Sequence, residues 1–200
     1  MPDPALIGLT GGIAAGKSEA LRILERLGAA TISTDAIVHE LLETSAVRDE
    51  LVTRWGREVA PEGAVDRGRV AAIVFGRPEE LSWLEGLLHP LVAERVLAWR
   101  RSLADDVEVA VVEVPLLFEG GMAEIFHSTI AVIADDARRE RRAAERGTGE
   151  LEARSGRQLS QGEKAERATH VVVNDGSLAD LEEALRRLLP DLRGAAAAAR

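Results

Sequence analysis

Residues 8–20 read GLTGGIAAGKSEA. From Gly11 to Ser18 the run is G-G-I-A-A-G-K-S, which satisfies GxxxxGK[ST], the pattern of a loop that wraps phosphates. Small residues let successive backbone N–H groups turn toward an anion, and the positive N-terminal end of the following helix adds to them. Gly12, Ile13, Ala14, Ala15 and Gly16 would form that cradle, Lys17 would reach the outer phosphates, and the Ser18 hydroxyl could hold Mg²⁺. The alternative is a glycine-rich turn that merely closes a strand-helix unit. The flanks favour the phosphate loop: ALIGL (5–9) precedes it as a strand, and SEALRILERLG (18–28) follows as an amphipathic helix. Leu21, Leu24 and Leu27 fall at helical spacing there, and Gly28 acts as a stop.

Working outward, four more short runs rich in Val and Ile read as strands: Ala30–Ser33, Val107–Val114, Ser128–Ala134 and Thr169–Asn174. Several are apolar on both faces, as a buried parallel sheet requires. Helical patterns lie between them at Ser18–Leu27, Ala36–Leu42, Pro78–Leu103, Ala137–Arg146 and Leu178–Leu189. This alternation predicts an α/β fold. The span from Asp35 to Asp106, between the second and third strands, is long and almost wholly helical, and is where a substrate lobe would sit. The final GAAAAAR is low in complexity and is expected to fray.

Composition narrows the function. A chain of 200 residues, 46% of them hydrophobic, can bury a sizeable core. A net charge of −9 argues against a nucleic-acid binder that relies on bulk electrostatics. The absence of cysteine excludes disulfides and thiolate-bound metal. The opening MPDPALIGL is too short and too acidic for a signal peptide, and no apolar run approaches the roughly 20 residues of a spanning helix. The expectation is a soluble, cytoplasmic protein with no membrane partner.

Other residues carry chemistry by position. Asp35 follows directly on the second strand, where a carboxylate could orient or deprotonate an acceptor hydroxyl, or simply cap the next helix. Glu113 ends the third strand, where an acidic group can position Mg²⁺ or its water, or merely close a strand. Arg138, Arg142 and Arg146 are spaced four apart and share one helix face. Such guanidinium groups neutralise charge on a transferred phosphoryl, although Glu140 and Glu145 could equally lace a solvated helix. Arg154, Gln158 and Lys164 follow in a polar helical stretch that could join the same closing segment. His89, before Pro90, is either structural or functional. The four histidines include no HxH or HxxxH pair, so a histidine metal site is not expected.

Taken together the blocks resemble the dephospho-CoA kinase family from Leu6 to about Leu189. They are GLTGGIAAGKS, TDAIVHEL, LLHPLV, VPLLFEGG, and the arginine-rich helix leading through RSGRQLSQGEKAERATHVVVNDGS. The resemblance implies a phosphate-loop NTPase with a five-stranded parallel sheet, order 2-3-1-4-5, flanked by helices and carrying a helical substrate lobe and a lid. Residues 1–192 would be one kinase domain: core 1–34, 104–140 and 168–192, lobe about 35–103, lid about 141–167, then a tail at 193–200. It implies phosphoryl transfer from ATP, with Mg²⁺, to the ribose 3′-hydroxyl of dephospho-CoA. In it Lys17 and Ser18 serve MgATP, Asp35 takes or orients the hydroxyl proton, and His89 lies in the dephospho-CoA lobe. Arg142 reaches the ATP phosphates, and Asn174 lies where the adenine end is held. Two departures stand out. Ser33 replaces the first aspartate of the usual D-A-D, and Ala14 and Ala15 stand where Gly and Ser are more usual, a change expected to be small. A kinase for another small alcohol or nucleotide would share the loop and the arginines. A nucleotide-dependent switch would keep the loop but have no need of Asp35. The sequence leaves oligomeric state open.

Overall fold

The computed structural model describes residues 3–145 and 158–198. The Val- and Ile-rich runs form five strands: β1 (Ala5–Gly11), β2 (Ala30–Ser33), β3 (Val109–Glu113), β4 (Ser128–Ile133) and β5 (His170–Val173). Every pairing is parallel and the order is β2-β3-β1-β4-β5, as the resemblance implies. Every residue of β1 and β3 is buried, which explains why their sequences lack a polar face. At the β5 edge Val171 and Val173 are exposed and Val172 is buried.

Parallel neighbours cannot be joined by a hairpin, so the chain must cross over between strands. Around the sheet lie α1 (Lys17–Arg26), α6 (Asp136–Glu145), α7 (Gln161–Arg167) and α8 (Leu178–Ala198). Ile7 and Leu9 of β1, Ile23 and Leu24 of α1, and Leu181, Leu185 and Leu192 of α8 share one core cluster with Val109, Val111, Ile130 and Val132. Each fully buried aliphatic side chain contributes about 1.5–3 kcal/mol of transfer free energy. On α1 the fully buried stripe is Ala20, Ile23 and Leu24, whereas Leu21 and Leu27 only border the core. The buried stripe is therefore rotated from the expected Leu21, Leu24 and Leu27 toward Ala20 and Ile23.

The C-terminus corrects a second expectation. Helix α8 does not stop at Leu189, nor does the chain fray at Gly194; the helix continues through Pro190 to Ala198. Leu192 is fully buried, and Ala195 and Ala196 pack against the core. Alanine is the strongest helix former, so a low-complexity run anchored by one buried leucine propagates the helix.

The chain divides into two compact units, one holding the sheet and the other residues 34–99. The second is helical: α2 (Thr34–Glu43), α3 (Ser45–Trp55), α4 (Arg67–Val74) and most of α5 (Pro78–Arg101). Asp66 caps α4 by accepting from Gly68 N at 2.9 Å and Arg69 N at 3.1 Å. Helices α3 and α5 meet at Glu80, which accepts from Arg54 Nε and Nη2, both at 3.0 Å, and from Trp55 Nε1 at 2.7 Å. Trp55 and Trp83 stack edge to face at 5.1 Å, with the Arg54 guanidinium 5.4 Å from the Trp83 ring centre. Among the described residues no helix is long and apolar enough to cross a membrane.

Candidate active site

The phosphate loop leaves the carboxyl end of central β1, where the sheet's connections diverge to opposite sides. Its conformation needs residues that tolerate positive φ. Gly16 has φ 105° and is the N-cap of α1, where no side chain caps the helix, so the positive end of the helix is turned toward the hollow of the loop. A Cβ on Gly16 would run into the Asn174 amide, and one on Gly11 into the Val132 carbonyl. Glycine is required at both positions for space as well as conformation. Ala14 adopts φ 59°, a left-handed conformation unusual for a residue with a Cβ. The replacement of glycine there is thus not neutral, because the left-handed region costs a non-glycine residue about 1–2 kcal/mol.

Three side chains hold the loop. Lys17 Nζ donates to Gly11 O at 3.1 Å and Gly12 O at 3.0 Å, placing the ammonium over the turn. Asn174, buried just beyond β5, donates from Nδ2 to Ala15 O at 2.8 Å. From α6, Arg139 Nε donates to Ile13 O at 2.9 Å while its Nη1 pairs with Asp136 at 2.7 Å. Arg142 Nη2 donates to Asn174 O at 3.3 Å. Its Nη1 is buried, has no hydrogen-bond partner among the described residues, and lies 3.9 Å from the point a Gly16 Cβ would occupy. Two guanidinium groups therefore border one loop, and a phosphate is a stronger partner for them than a carbonyl.

A cleft of about 530 Å³ opens beside the loop, lined by Gly12, Ile13, Arg139 and Glu140 on one side and by residues 158–162 on the other. Gln161 anchors that second wall: its side-chain amide accepts from Ala134 N at 2.9 Å and donates to Ala134 O at 2.8 Å. Ser160 and Glu163 form a reciprocal cap at the start of α7, and the bonds from the Ser160 N–H and hydroxyl hold the Glu163 carboxyl below the usual range.

Glu113 is buried at the end of β3, in register with Leu9 on one side and Ser33 on the other. Among the described residues no group of three or more His, Asp or Glu is placed to hold a metal. The Glu113 carboxylate and the Ser18 hydroxyl, both hard oxygen donors, nonetheless suit Mg²⁺, which keeps several waters and draws other ligands from phosphates.

The sheet unit thus brings together the loop, Lys17, Arg142 and Asn174. Asp35 and His89 lie in the helical unit, and both are exposed. Asp35 sits inside the first turn of α2 and not at its cap, because the helix begins at Thr34, one residue after β2 ends. His89 is on α5 beside Pro90. Arg146 and Arg154 lie outside the described residues. Sequence reasoning overlooked Arg139, which stands one residue off the four-spaced arginine face, and the part Gln161 plays. The resemblance put Asn174 at the adenine end; in the structure the Asn174 amide also supports the loop, by donating to Ala15 O. The Gly16 of the motif was the available signal, since only a glycine leaves room for that amide.

A family profile described as dephospho-CoA kinase matches residues 5–180. The dephospho-CoA kinase of Synechococcus sp. (strain CC9902) is 40% identical over 195 residues, covering 94% of this chain and 97% of that one. The crystal structure of TT1252 from Thermus thermophilus aligns at TM-score 0.84 with 35% identity, over 95% of this chain and 98% of that one. A dephospho-CoA kinase from Campylobacter jejuni aligns at TM-score 0.64 with 26% identity, over 96% and 98% of the two chains. A match over this much of the chain, on a sheet of the implied order with a phosphate loop at its centre, means that the chain belongs to the dephospho-CoA kinase family.

Proposed function

We propose that this protein transfers the γ-phosphoryl of ATP to the ribose 3′-hydroxyl of dephospho-CoA, giving coenzyme A and ADP, in the cytoplasm. The observation that carries the reading is the convergence of Lys17, Arg139 and Arg142 on one glycine-rich loop beside a cleft, in a chain of this family.

In this mechanism the backbone N–H groups of residues 12–18 bind the β- and γ-phosphates, and Lys17 exchanges its loop carbonyls for phosphate oxygens. Mg²⁺, when bound, neutralises phosphate charge; Ser18 would hold it, with Glu113 acting through water. The acceptor oxygen forms a bond to the γ-phosphorus as the bond to the ADP oxygen breaks, and Asp35 takes or orients the hydroxyl proton. Arg142 stabilises charge on the transferring group. His89 faces the acceptor, and Asn174 holds the loop's crown. The transition state is loose, so positioning and charge account for most of the catalysis.

The test is ADP release from MgATP by the purified protein, with and without dephospho-CoA and beside a panel of nucleosides and small alcohols. Stimulation by dephospho-CoA alone, with coenzyme A as product, is the expected result. Stimulation only by another acceptor would keep the kinase and discard this substrate, and stimulation by none would leave a nucleotide switch.

A further inference from the structure

Lys164 is the bulkiest side chain that the structure buries completely. Its Nζ donates to Pro115 O at 2.7 Å and lies 3.0 Å from Glu119 Oε1. The same Glu119 oxygen accepts from Leu159 N at 2.8 Å, and Pro115 O also accepts from Thr10 Oγ1 at 3.3 Å. One ammonium therefore joins α7, the turn that follows Glu113, and the chain entering α7.

Stability alone is a poor reason for such a pair, since well-packed apolar residues of similar volume often serve equally well or better. Its position suggests another reason. Residues 159–162 form one wall of the cleft, and Gln161 comes so near the loop that a Cβ on Gly12 would lie 3.0 Å from its Cγ. The buried pair sits behind that wall and ties it to the end of β3, where Glu113 lies two residues before Pro115.

We propose that the Lys164–Glu119 pair is a positioning device that sets the spacing between the nucleotide-facing wall and the acidic end of β3. The inference rests on the reading above that ATP binds the phosphate loop, which this cleft adjoins. A wall misplaced by a fraction of an ångström weakens the hold on ATP and its alignment for transfer, while the acceptor's own affinity is untouched.

The experiment compares the parent with Glu119→Gln, Lys164→Met and the double variant Lys164→Met/Glu119→Leu, which removes both charges while keeping the site filled. Melting temperature, kcat, both KM values, and calorimetric affinity for a non-hydrolysable ATP analogue are measured. The expected result is about a 10- to 100-fold loss in kcat/KM for ATP and a weaker analogue affinity, with the dephospho-CoA KM within about twofold. The double variant is expected to recover the melting temperature but not the analogue affinity, a split that a merely structural pair would not produce. If Lys164→Met does not fold, the other two variants decide. Folded variants with parental analogue affinity and ATP KM, and only a lower melting temperature, would overturn the proposal. If the parent binds the analogue but ignores dephospho-CoA, the substrate reading fails, and the calorimetric comparison still tests the pair.

Discussion

In the sheet unit the groups around the phosphate loop hold one another: Asn174 on Ala15, Arg139 on Ile13, Lys17 on Gly11 and Gly12. In the helical unit Asp35 and His89 stand exposed, and the side-chain cluster around Glu80 is built from other residues. The difference follows from what each side uses. An anion cradle works through backbone N–H groups, which point inward only if the loop is pre-shaped. An acceptor site built on a charged side chain needs that charge kept wet until the ligand covers it. Damage to the first should change architecture along with activity, and damage to the second should change chemistry alone.

The sharpest contrast sets Lys17→Ala beside Asp35→Asn. Each is expected to lower single-turnover phosphoryl transfer by about 10²- to 10⁴-fold. Asp35→Asn should leave ATP affinity unchanged, being on an exposed helical turn, whereas Lys17→Ala should weaken it. Melting curves should place Asp35→Asn within about 0.5 kcal/mol of the parent, whereas Lys17→Ala, which removes the bonds to Gly11 O and Gly12 O, should cost about 1 kcal/mol without unfolding the chain. Near-parental turnover in either variant removes that residue from the mechanism.

Gly16→Ala strikes architecture directly. With φ at 105° and the Asn174 amide in the way, the substitution should cost about 1–3 kcal/mol in denaturant unfolding and abolish saturable ATP binding. Parental stability would mean that the loop can reshape freely. Asn174→Ala is the gentler version, since it removes one buried hydrogen bond and leaves the Ala15 carbonyl unpaired. About 1–2 kcal/mol of stability and a several-fold rise in ATP KM are expected, with acceptor KM unchanged; a rise in acceptor KM instead would detach Asn174 from the loop.

The smallest effect belongs to the helical unit. Hydrogen bonds from Arg54 and then Trp55 hold the Glu80 carboxyl below the usual glutamate range. A depressed folded pKa means that the contribution is fully present above the unfolded value and is lost as pH falls through the folded one. The stability gap between the parent and Glu80→Gln should therefore be constant near neutrality and shrink as acid protonates the carboxylate. A gap that widens in acid would show that Glu80 is not held as a carboxylate.

Much of this was legible in the chain. The strand runs are short and apolar on both faces because a parallel sheet is covered on both sides, and Gly11–Ser18 declares itself because only small residues permit the turn. Other features were not legible. The low-complexity run from Gly194 was expected to fray, yet behind the anchor at Leu192 it is helix as far as Ala198. Arg139 and Arg142 both rise from α6, but which of them meets Ile13 depends on the helix's rotation above the loop.

By itself, then, the sequence determined the run of strands and helices and the phosphate loop, since each rests on local spacing and residue type that neighbours along the chain suffice to express; the family and the sheet order came from the resemblance of blocks spread along the whole chain. Only the tertiary structure decided that Asn174 supports Ala15 and that Lys164 is a buried cation tied to Glu119. It alone also decided that Ala14 carries a left-handed backbone. Those contacts join residues far apart along the chain, and their cost or benefit exists only once packing has excluded water from between them.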